Sequence, residues 1–266
     1  LKELDNERIA KDICERTALK DVECLKPSLD AHPSPSDWAA VNFVCKHIKY
    51  LSRFVLDGVG SDCLQEILKL LQNRCIAEFS FVCFSRIGDD VVRLFNTLTD
   101  MQCTRNHTHT NLSSLTLYGF SVNDRVMAKI SQFFKTRRAS HLQQLTLSSN
   151  EISSSAISKF CEVFDSEHFE ELTCLDFSNT RMCDEGASVL FNTLVEGPRK
   201  LTELNVQECS LTNQCVPSLV KMLQGDHCNI VKLNIGLNNI GDEGVRLLCE
   251  NALTRICSAH GTTHTR

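Results

Sequence analysis

The sequence predicts an α/β solenoid, in which a strand, a turn and a helix repeat along the chain. The first observation is the stretch LNIGLNNIGDEGVRLL at residues 233–248, which joins a short alternating apolar run to an acidic turn and an amphipathic segment. The second is that its frame, L-x-x-L-x-L-x-x-N-x-L, recurs upstream, with Ile, Val or Phe replacing Leu and Cys replacing Asn. Self-similarity at a fixed period is the signature of a repeat architecture.

Seven copies of the frame cover most of residues 51–257. Five copies are clear and follow one another at intervals of 30, 30, 29 and 29 residues. Two less regular copies precede them. The copy from Ile76 has one extra residue, and the copy from Leu51 departs from the frame after its ninth position. The seven copies begin at Leu51, Ile76, Leu112, Leu142, Leu172, Leu201 and Ile230.

Each copy has the residue types of one strand, one turn and one helix. Leu142, Leu145 and Leu147 are spaced to enter a core where a short strand begins, and Asn150 stands where a side chain can hydrogen-bond backbone that has left the ladder. An acidic or small polar residue then precedes each helix and is predicted to cap it. These predicted caps are Asp62, Asp89, Asp124, Ser153, Asp184, Thr212 and Asp242.

Stacking of these units predicts a horseshoe with parallel strands on the concave face and helices on the convex face. No unit can bury its own apolar face, so neighbours must share one continuous core. We expect this repeat domain over residues 51–257. Residues 1–50 are expected to form an N-terminal helical cap or the end of a preceding domain, with helical spacing over 1–30 and a helix in SDWAAVNFVCKHI. Residues 258–266 are polar and predicted to be disordered.

The composition of the chain limits the classes of function that it can have. The net charge is −5 and no basic run occurs, which argues against nucleic acid as the main partner and against an anionic membrane. No apolar stretch approaches the roughly 20 residues that span a bilayer. The number of cysteines, 15, is odd, and no two of them form a C-x-x-C pair. Both observations favour buried reduced thiols and therefore a cytoplasmic protein. The chain opens with Leu1, which suggests a fragment or a processed piece of something longer.

The outward positions of the frame form columns along the predicted concave face. Seven strands spaced about 4.8 Å apart give a surface on the order of 30 Å long. The third, fifth and seventh columns are polar and lightly acidic, and they contain few large side chains of the kind that anchor a binding partner. Tyr118 is the one exposed aromatic candidate. Glu151 and Arg181 share the tenth column and could pair with each other. The candidate protein-binding residues are Tyr118, Glu151, Asp176, Arg181, Asn205, Gln207 and Glu208.

The period near 29, the strand–turn–helix unit and the GDEG entry to the helix resemble ribonuclease-inhibitor-type leucine-rich repeats. SPSDWAAVNFVCKHIKYLSRFVLDGVGSD, followed by Cys-laden repeats, resembles the C-terminal repeat region of NOD-like receptors. This resemblance implies a ligand-sensing and autoinhibitory region of an innate immune receptor, binding a protein or another domain of its own chain. The G-x-x-x-x-G-K-[ST] loop of a complete receptor is absent from this sequence, so nucleotide chemistry is not carried over.

Catalysis finds no support in the sequence, and no catalytic, cofactor or metal site is predicted. Ser, His and Asp are abundant, but neither a Gly-x-Ser-x-Gly turn nor metal-ligand spacing occurs. Two alternatives stay open at this point. One is a GTPase-activating protein of the same repeat class, and the other is a stoichiometric enzyme inhibitor resembling ribonuclease inhibitor.

Overall fold

The repeating frame forms a single parallel sheet in a computed structural model of the chain. The structure describes residues 21–25, 37–41, 43, 50–59, 78–83, 92–93, 95–96, 113–119, 122–135, 141–164 and 168–251. Within these residues eight strands pair in chain order, each parallel to the next. They are β1 (Asp21–Leu25), β2 (Tyr50–Val59), β3 (Glu78–Cys83), β4 (Ser114–Tyr118), β5 (Gln144–Thr146), β6 (Cys174–Asp176), β7 (Glu203–Asn205) and β8 (Lys232–Asn234).

The five clear copies of the frame are each followed by a helix, and consecutive helices pack side by side. These are α1 (Asp124–Phe134), α2 (Ser154–Cys161), α3 (Cys183–Leu194), α4 (Val216–Gln224) and α5 (Asp242–Asn251), with a 3₁₀ turn at Asn213–Cys215 leading into α4. The predicted α/β solenoid of the leucine-rich repeat type, with parallel strands in consecutive units, is confirmed.

The first strand corrects the prediction for the N-terminal segment. Residues 21–25 form β1, parallel to β2, where helical structure was predicted over residues 1–30. Val22 pairs with Leu51 and lies 29 residues before it, so β1 follows the period of the later copies. This copy of the frame is difficult to recognise in the sequence, because Pro27 stands at the sixth position, where the other copies have a larger apolar side chain. The helix predicted in the SDW segment is confirmed at residues 37–41 and 43, with Trp38 buried.

One apolar core runs between the sheet and the helices from the first described helical residues to α4. The fourth and sixth frame positions, such as Leu145 and Leu147, are fully buried, as the frame predicts. Phenylalanine rings extend this core under the helices, with ring centroids 4.9 Å apart for Phe134 and Phe169 and 5.4 Å apart for Phe160 and Phe177. Most aromatic side chains of the described region therefore stabilise the stack and are not available to partners.

Asn150 joins two consecutive repeats through buried hydrogen bonds. Its Nδ2 donates to the carbonyl of Leu117 at 2.8 Å and to that of Leu147 at 2.9 Å, and its Oδ1 accepts from the N–H of Val122 at 3.1 Å. Asn238 makes the same contacts with Val206, Ile235 and Leu211. The predicted role of the ninth position in satisfying backbone outside the strand ladder is confirmed at both asparagines.

Three of the predicted caps act differently in the structure, and one of these, Asp242, is the first residue of α5 and lies in its first turn. Ser153 caps α2 and Thr212 caps the 3₁₀ turn, as predicted. Asp124 and Asp184, in contrast, lie in the first turn of their helices and accept hydrogen bonds from the next repeat. The cap of α1 is Asn123, which the frame did not single out. Asp62 and Asp89 lie outside the described residues.

Asp184 connects α3 to the following repeat. Its Oδ2 accepts from Thr212 Oγ1 at 2.7 Å, and its Oδ1 accepts from the Thr212 N–H at 2.8 Å. Desolvation raises the pKa of this carboxyl, but hydrogen bonds from Thr212 and Cys215 outweigh it and leave the pKa below its usual value. The ionised form therefore stabilises the fold above the pKa of the unfolded chain, and this contribution is lost as pH falls through the lower folded pKa.

The structure shows free thiols at Cys161, Cys174, Cys183, Cys209, Cys215, Cys228 and Cys249. Burial raises the pKa of Cys161 to about 11 and, together with the Asp184 carboxylate beside it, that of Cys215 to about 12. Such thiols stay protonated and act as packing groups at neutral pH. Cys183 and Cys249 are exposed, so the prediction of buried thiols is wrong at these two positions.

We expect Asn150→Ala to destabilise the fold by about 2 kcal/mol or more, because it leaves two buried carbonyls and one buried N–H without their partner. Asn239→Ala, at an exposed position in the turn before α5, serves as the matched control and should stay within about 0.5 kcal/mol of wild type. Urea denaturation of the three proteins measures both effects. Equal stability of the two variants would contradict the bridging role of Asn150.

Asp184→Asn should lose less stability between pH 7 and pH 3 than the wild type does. The stabilisation that the wild-type carboxylate provides begins to be lost as pH falls below the pKa of the unfolded chain, whereas an amide does not titrate. Urea midpoints of both proteins at the two pH values check the expectation. An identical loss in both proteins would show that the Asp184 charge does not contribute.

Native protein should react with a thiol reagent at Cys183 and Cys249 well before Cys161, Cys209 and Cys215. The first two thiols are exposed, and the last three are shielded by burial that also raises their pKa. Timed alkylation followed by peptide mass spectrometry gives the order. Disulfides at these positions in protein purified without reductant would contradict the reduced state.

Candidate functional site on the strand face

The outward face of the sheet is organised by the register of its strands. Ser114, Gln144, Cys174, Glu203 and Lys232 are consecutive partners in the third column. Thr116, Thr146, Asp176, Asn205 and Asn234 are consecutive partners in the fifth column. The side chains of both columns are half-buried or exposed, while those between them are buried from β4 to β7. The predicted third and fifth columns are therefore confirmed, and the same backbone register continues through β2 and β3.

The fifth column has a structural role that the sequence pattern did not indicate. Asp176 Oδ1 accepts from the N–H of Ser178 at 2.8 Å, and Asn205 Oδ1 accepts from the N–H of Gln207 at 3.2 Å. Asn234 repeats this contact with the N–H of Gly236 at 3.0 Å. Each side chain thus closes a short turn where its strand ends. Asp176 Oδ2 and Asn205 Nδ2 make no hydrogen bond within the described residues, so they are available to a partner.

A shallow depression of about 440 Å³ lies across β6, β7 and β8. Asp176 and Asn205 line it, so the structure brings two of the predicted residues into one site. Glu203 and Lys232 form an ion pair at 2.5 Å along the same surface. The remaining lining residues are Cys174, Leu204, Val231, Leu233 and Asn234.

Cys174 carries the thiol of this depression, and the surroundings keep it protonated. Its pKa is raised by burial first and then by the negative charges of Glu203 and Asp176, with only a smaller opposing effect from Lys232. A protonated thiol is a poor nucleophile. The depression is therefore equipped with hydrogen-bonding groups and an ion pair, and its chemistry suits contact with a partner.

Tyr118 stands apart from this depression. It lies at the end of β4, three strands from Asn205 on β7, a separation of about 14 Å at the usual strand spacing. It is 39% exposed, which confirms the predicted accessible aromatic. The same column is not exposed throughout, because Ser148 is buried at 5%, where the chain already turns and its carbonyl accepts from Gly119 and Asn150.

The other four predicted residues lie in the turns after the strands. Gln207 is half-buried and accepts from Asn234 Nδ2 at 2.7 Å through its Oε1. Glu208 is exposed and has a left-handed backbone with φ of 55°. Arg181 is exposed and Glu151 is half-buried, and pairing between these two side chains stays a prediction.

Val231 is a lining residue that the sequence analysis missed. It is 80% exposed at the rim of the depression. A signal was present, because the same frame position holds polar Ser113, Gln143, Thr173 and Thr202 in the preceding copies. The predicted outward columns contain the third, fifth and seventh positions, and the second position lies outside them.

Two negative findings apply to the described residues. None of the helices found there is long and apolar enough to cross a membrane. Groups of three or more His, Cys, Asp or Glu side chains that could hold a metal ion are absent from the same part of the chain.

Comparison with known proteins agrees with the repeat frame. The family model described as Leucine Rich repeat matches residues 138–161 and 226–249. The chain is 33% identical to ribonuclease inhibitor of Sus scrofa over 42% of its own length and 24% of that protein. It is 37% identical to NACHT, LRR and PYD domains-containing protein 13 of Homo sapiens over 30% of its own length and 8% of that protein. The chain thus spans about a quarter or less of these relatives.

A solved structure of an internalin from Listeria monocytogenes covers 81% of this chain and 54% of its own, with 16% identity and a TM-score of 0.45. The sequence matches and the parallel sheet agree on the nature of the repeating unit. The repeats of this chain are leucine-rich repeats similar to those of ribonuclease inhibitor and of NACHT, LRR and PYD domains-containing proteins.

Proposed function

We propose that this chain is the ligand-sensing and autoinhibitory repeat region of a cytoplasmic NOD-like receptor. In this proposal its strand face binds a protein partner or another domain of the receptor. The similarity to a NACHT, LRR and PYD domains-containing protein supports the family part of the proposal, although the match covers only 8% of that relative.

The observation that carries the binding surface is the depression across β6 to β8. It is shallow and open, and it offers the carboxylate of Asp176, the amide of Asn205 and the ion pair of Glu203 with Lys232. A macromolecular surface can reach all these groups at once, whereas a small ligand would be poorly enclosed. Tyr118 supplies a separate aromatic contact for a partner that extends along the sheet.

The resemblance to ribonuclease inhibitor supports a second candidate, a stoichiometric enzyme inhibitor. The charges on the described strand face are mixed, since Glu203 is paired with Lys232 and Arg181 lies in a turn beyond β6. A basic enzyme would meet less negative charge here than a uniformly acidic face provides. The receptor reading is therefore preferred.

The triple variant Tyr118→Ala, Asp176→Asn and Asn205→Asp tests the surface without removing its turns. Asn and Asp both keep the Oδ1 acceptor that closes each turn, so the chain should fold while its charge pattern and its aromatic contact change. We expect partner binding to weaken at least about tenfold, because the change removes a hot-spot residue type and alters two polar contacts. Lys221→Ala, at an exposed position on α4, is the control.

Quantitative affinity capture with the wild type, the triple variant and the control measures this loss, and cross-linking mass spectrometry locates the contact. Cross-links that fall only on the helical face would refute the proposed surface, as would full capture by the triple variant. Two activity assays separate the alternatives. Stimulated GTP hydrolysis by catalytic amounts of the chain would favour a GTPase-activating protein, and one-to-one inhibition of a pancreatic ribonuclease would favour an inhibitor.

A further inference from the structure

We propose that the strand face at β6 and β7 docks an extended segment of a protein partner through one arginine side chain, whose guanidinium binds the carboxylate of Asp176 and reaches that of Glu203. This contact rests on the proposed function, because it names the chemistry of a partner that the strand face binds. Both strands are paired on each side, so the contact does not involve an edge of the sheet.

The outward columns from β4 to β8 carry few charges. In the third and fifth columns only Asp176, Glu203 and Lys232 are charged, and the other members are Ser, Thr, Gln, Cys and Asn. Glu203 and Lys232 form an ion pair with each other, so the negative charge of Asp176 is not balanced on this surface. A partner that supplies one positive charge at β6 is therefore complementary to it.

Asp176 is half-buried and has no basic neighbour in its column. Its partners in the register are Thr146 on β5 and Asn205 on β7. Its Oδ1 accepts from the N–H of Ser178, and the carboxylate forms no ion pair within the part of the chain that the structure describes. Because a partly buried carboxylate is stabilised by donors that replace lost water, Oδ2 is suited to accept from a charged donor of a partner.

Glu203 lies close enough to Asp176 for one guanidinium to contact both carboxylates. The register pairs Cys174 with Glu203 and Asp176 with Asn205, so the two acidic residues are one strand apart and two residues apart along the strand. At the usual strand spacing and rise, their Cα atoms are about 8 Å apart. Glu203 uses Oε1 for Lys232, and its Oε2 makes no hydrogen bond among the described residues. A guanidinium has five N–H donors in one plane and can bond to two carboxylates, whereas an ammonium is a compact point charge.

The thiol of Cys174 lines the same depression and indicates the sign of the charge there. Burial raises its pKa most, the charges of Glu203 and Asp176 raise it further, and the opposing effect of Lys232 is the smallest of the four. The positive charge of Lys232 therefore does not cancel the two carboxylates at this position. Such a surface favours a cationic side chain over a neutral or an acidic one.

The open shape of the depression suits a side chain that is carried by a larger partner. Its volume is about 440 Å³ and it is shallow, so free arginine would remain largely in contact with water. A protein segment adds contacts of its backbone and neighbouring side chains along the polar columns. The isolated side chain is therefore expected to bind weakly, in the millimolar range, but at the same place.

The α-acetylated amides of arginine, citrulline and lysine serve as probes, and each is titrated into the complete chain while backbone resonances are followed by NMR. The arginine amide should shift resonances of β6 and β7 in a saturable way. Citrulline has nearly the same shape without the charge, so it should bind at least about tenfold more weakly. Lysine has the charge without the planar set of donors and should also bind more weakly than arginine.

Two variants should change the affinity for the arginine amide in opposite directions. Asp176→Asn removes the charge but keeps the Oδ1 that closes the turn, so the affinity should fall at least about threefold. Lys232→Gln removes the cation that pairs with Glu203, so the affinity should rise about twofold or more. Asp242→Asn, at an exposed position in the first turn of α5, removes one charge outside the depression and should leave the affinity unchanged.

The arginine contact is overturned if citrulline or lysine binds as tightly as arginine, if Asp176→Asn binds arginine as the wild type does, or if no saturable shift occurs at β6 and β7. Affinity capture and cross-linking test the proposed function separately. Capture of a partner on the strand face that is unaffected by Asp176→Asn would refute the arginine contact alone, whereas cross-links confined to the helical face would refute the surface itself.

Discussion

The hydrogen bonds and apolar contacts shared by consecutive repeats hold this molecule together. A three-residue strand such as β6 and an eight-residue helix such as α2 are each too short to be stable alone. Stacking gives the sheet its ladder and covers the leucines of the frame, so the stability of each unit depends on its neighbours. Asn150 and Asn238 show this dependence most directly, because their side chains bond to backbone of two repeats at once.

This constraint divides the residues of each repeat into two classes. The fourth and sixth positions must be apolar, whereas the third and fifth can vary, which gives a recognition protein its freedom to diversify. The division is incomplete. Asp176 and Asn205 face outward and also close the turn after their strands, so substitutions there affect local structure as well as the surface.

The sequence by itself determined the repeating unit, its period, the parallel order of the strands and the columns that face outward. It could do so because the leucines of the frame mark the positions that become buried, and the buried positions of a solenoid recur with a strict period. The tertiary structure alone decided that residues 21–25 add a strand, since pairing with β2 overrides the local helical spacing. It also decided that Asp124 and Asp184 contact the next repeat, and that Asp176 and Asn205 share a depression while Tyr118 lies about three strands away. These outcomes depend on distances between repeats, and a one-dimensional pattern records which residues recur but not which atoms meet.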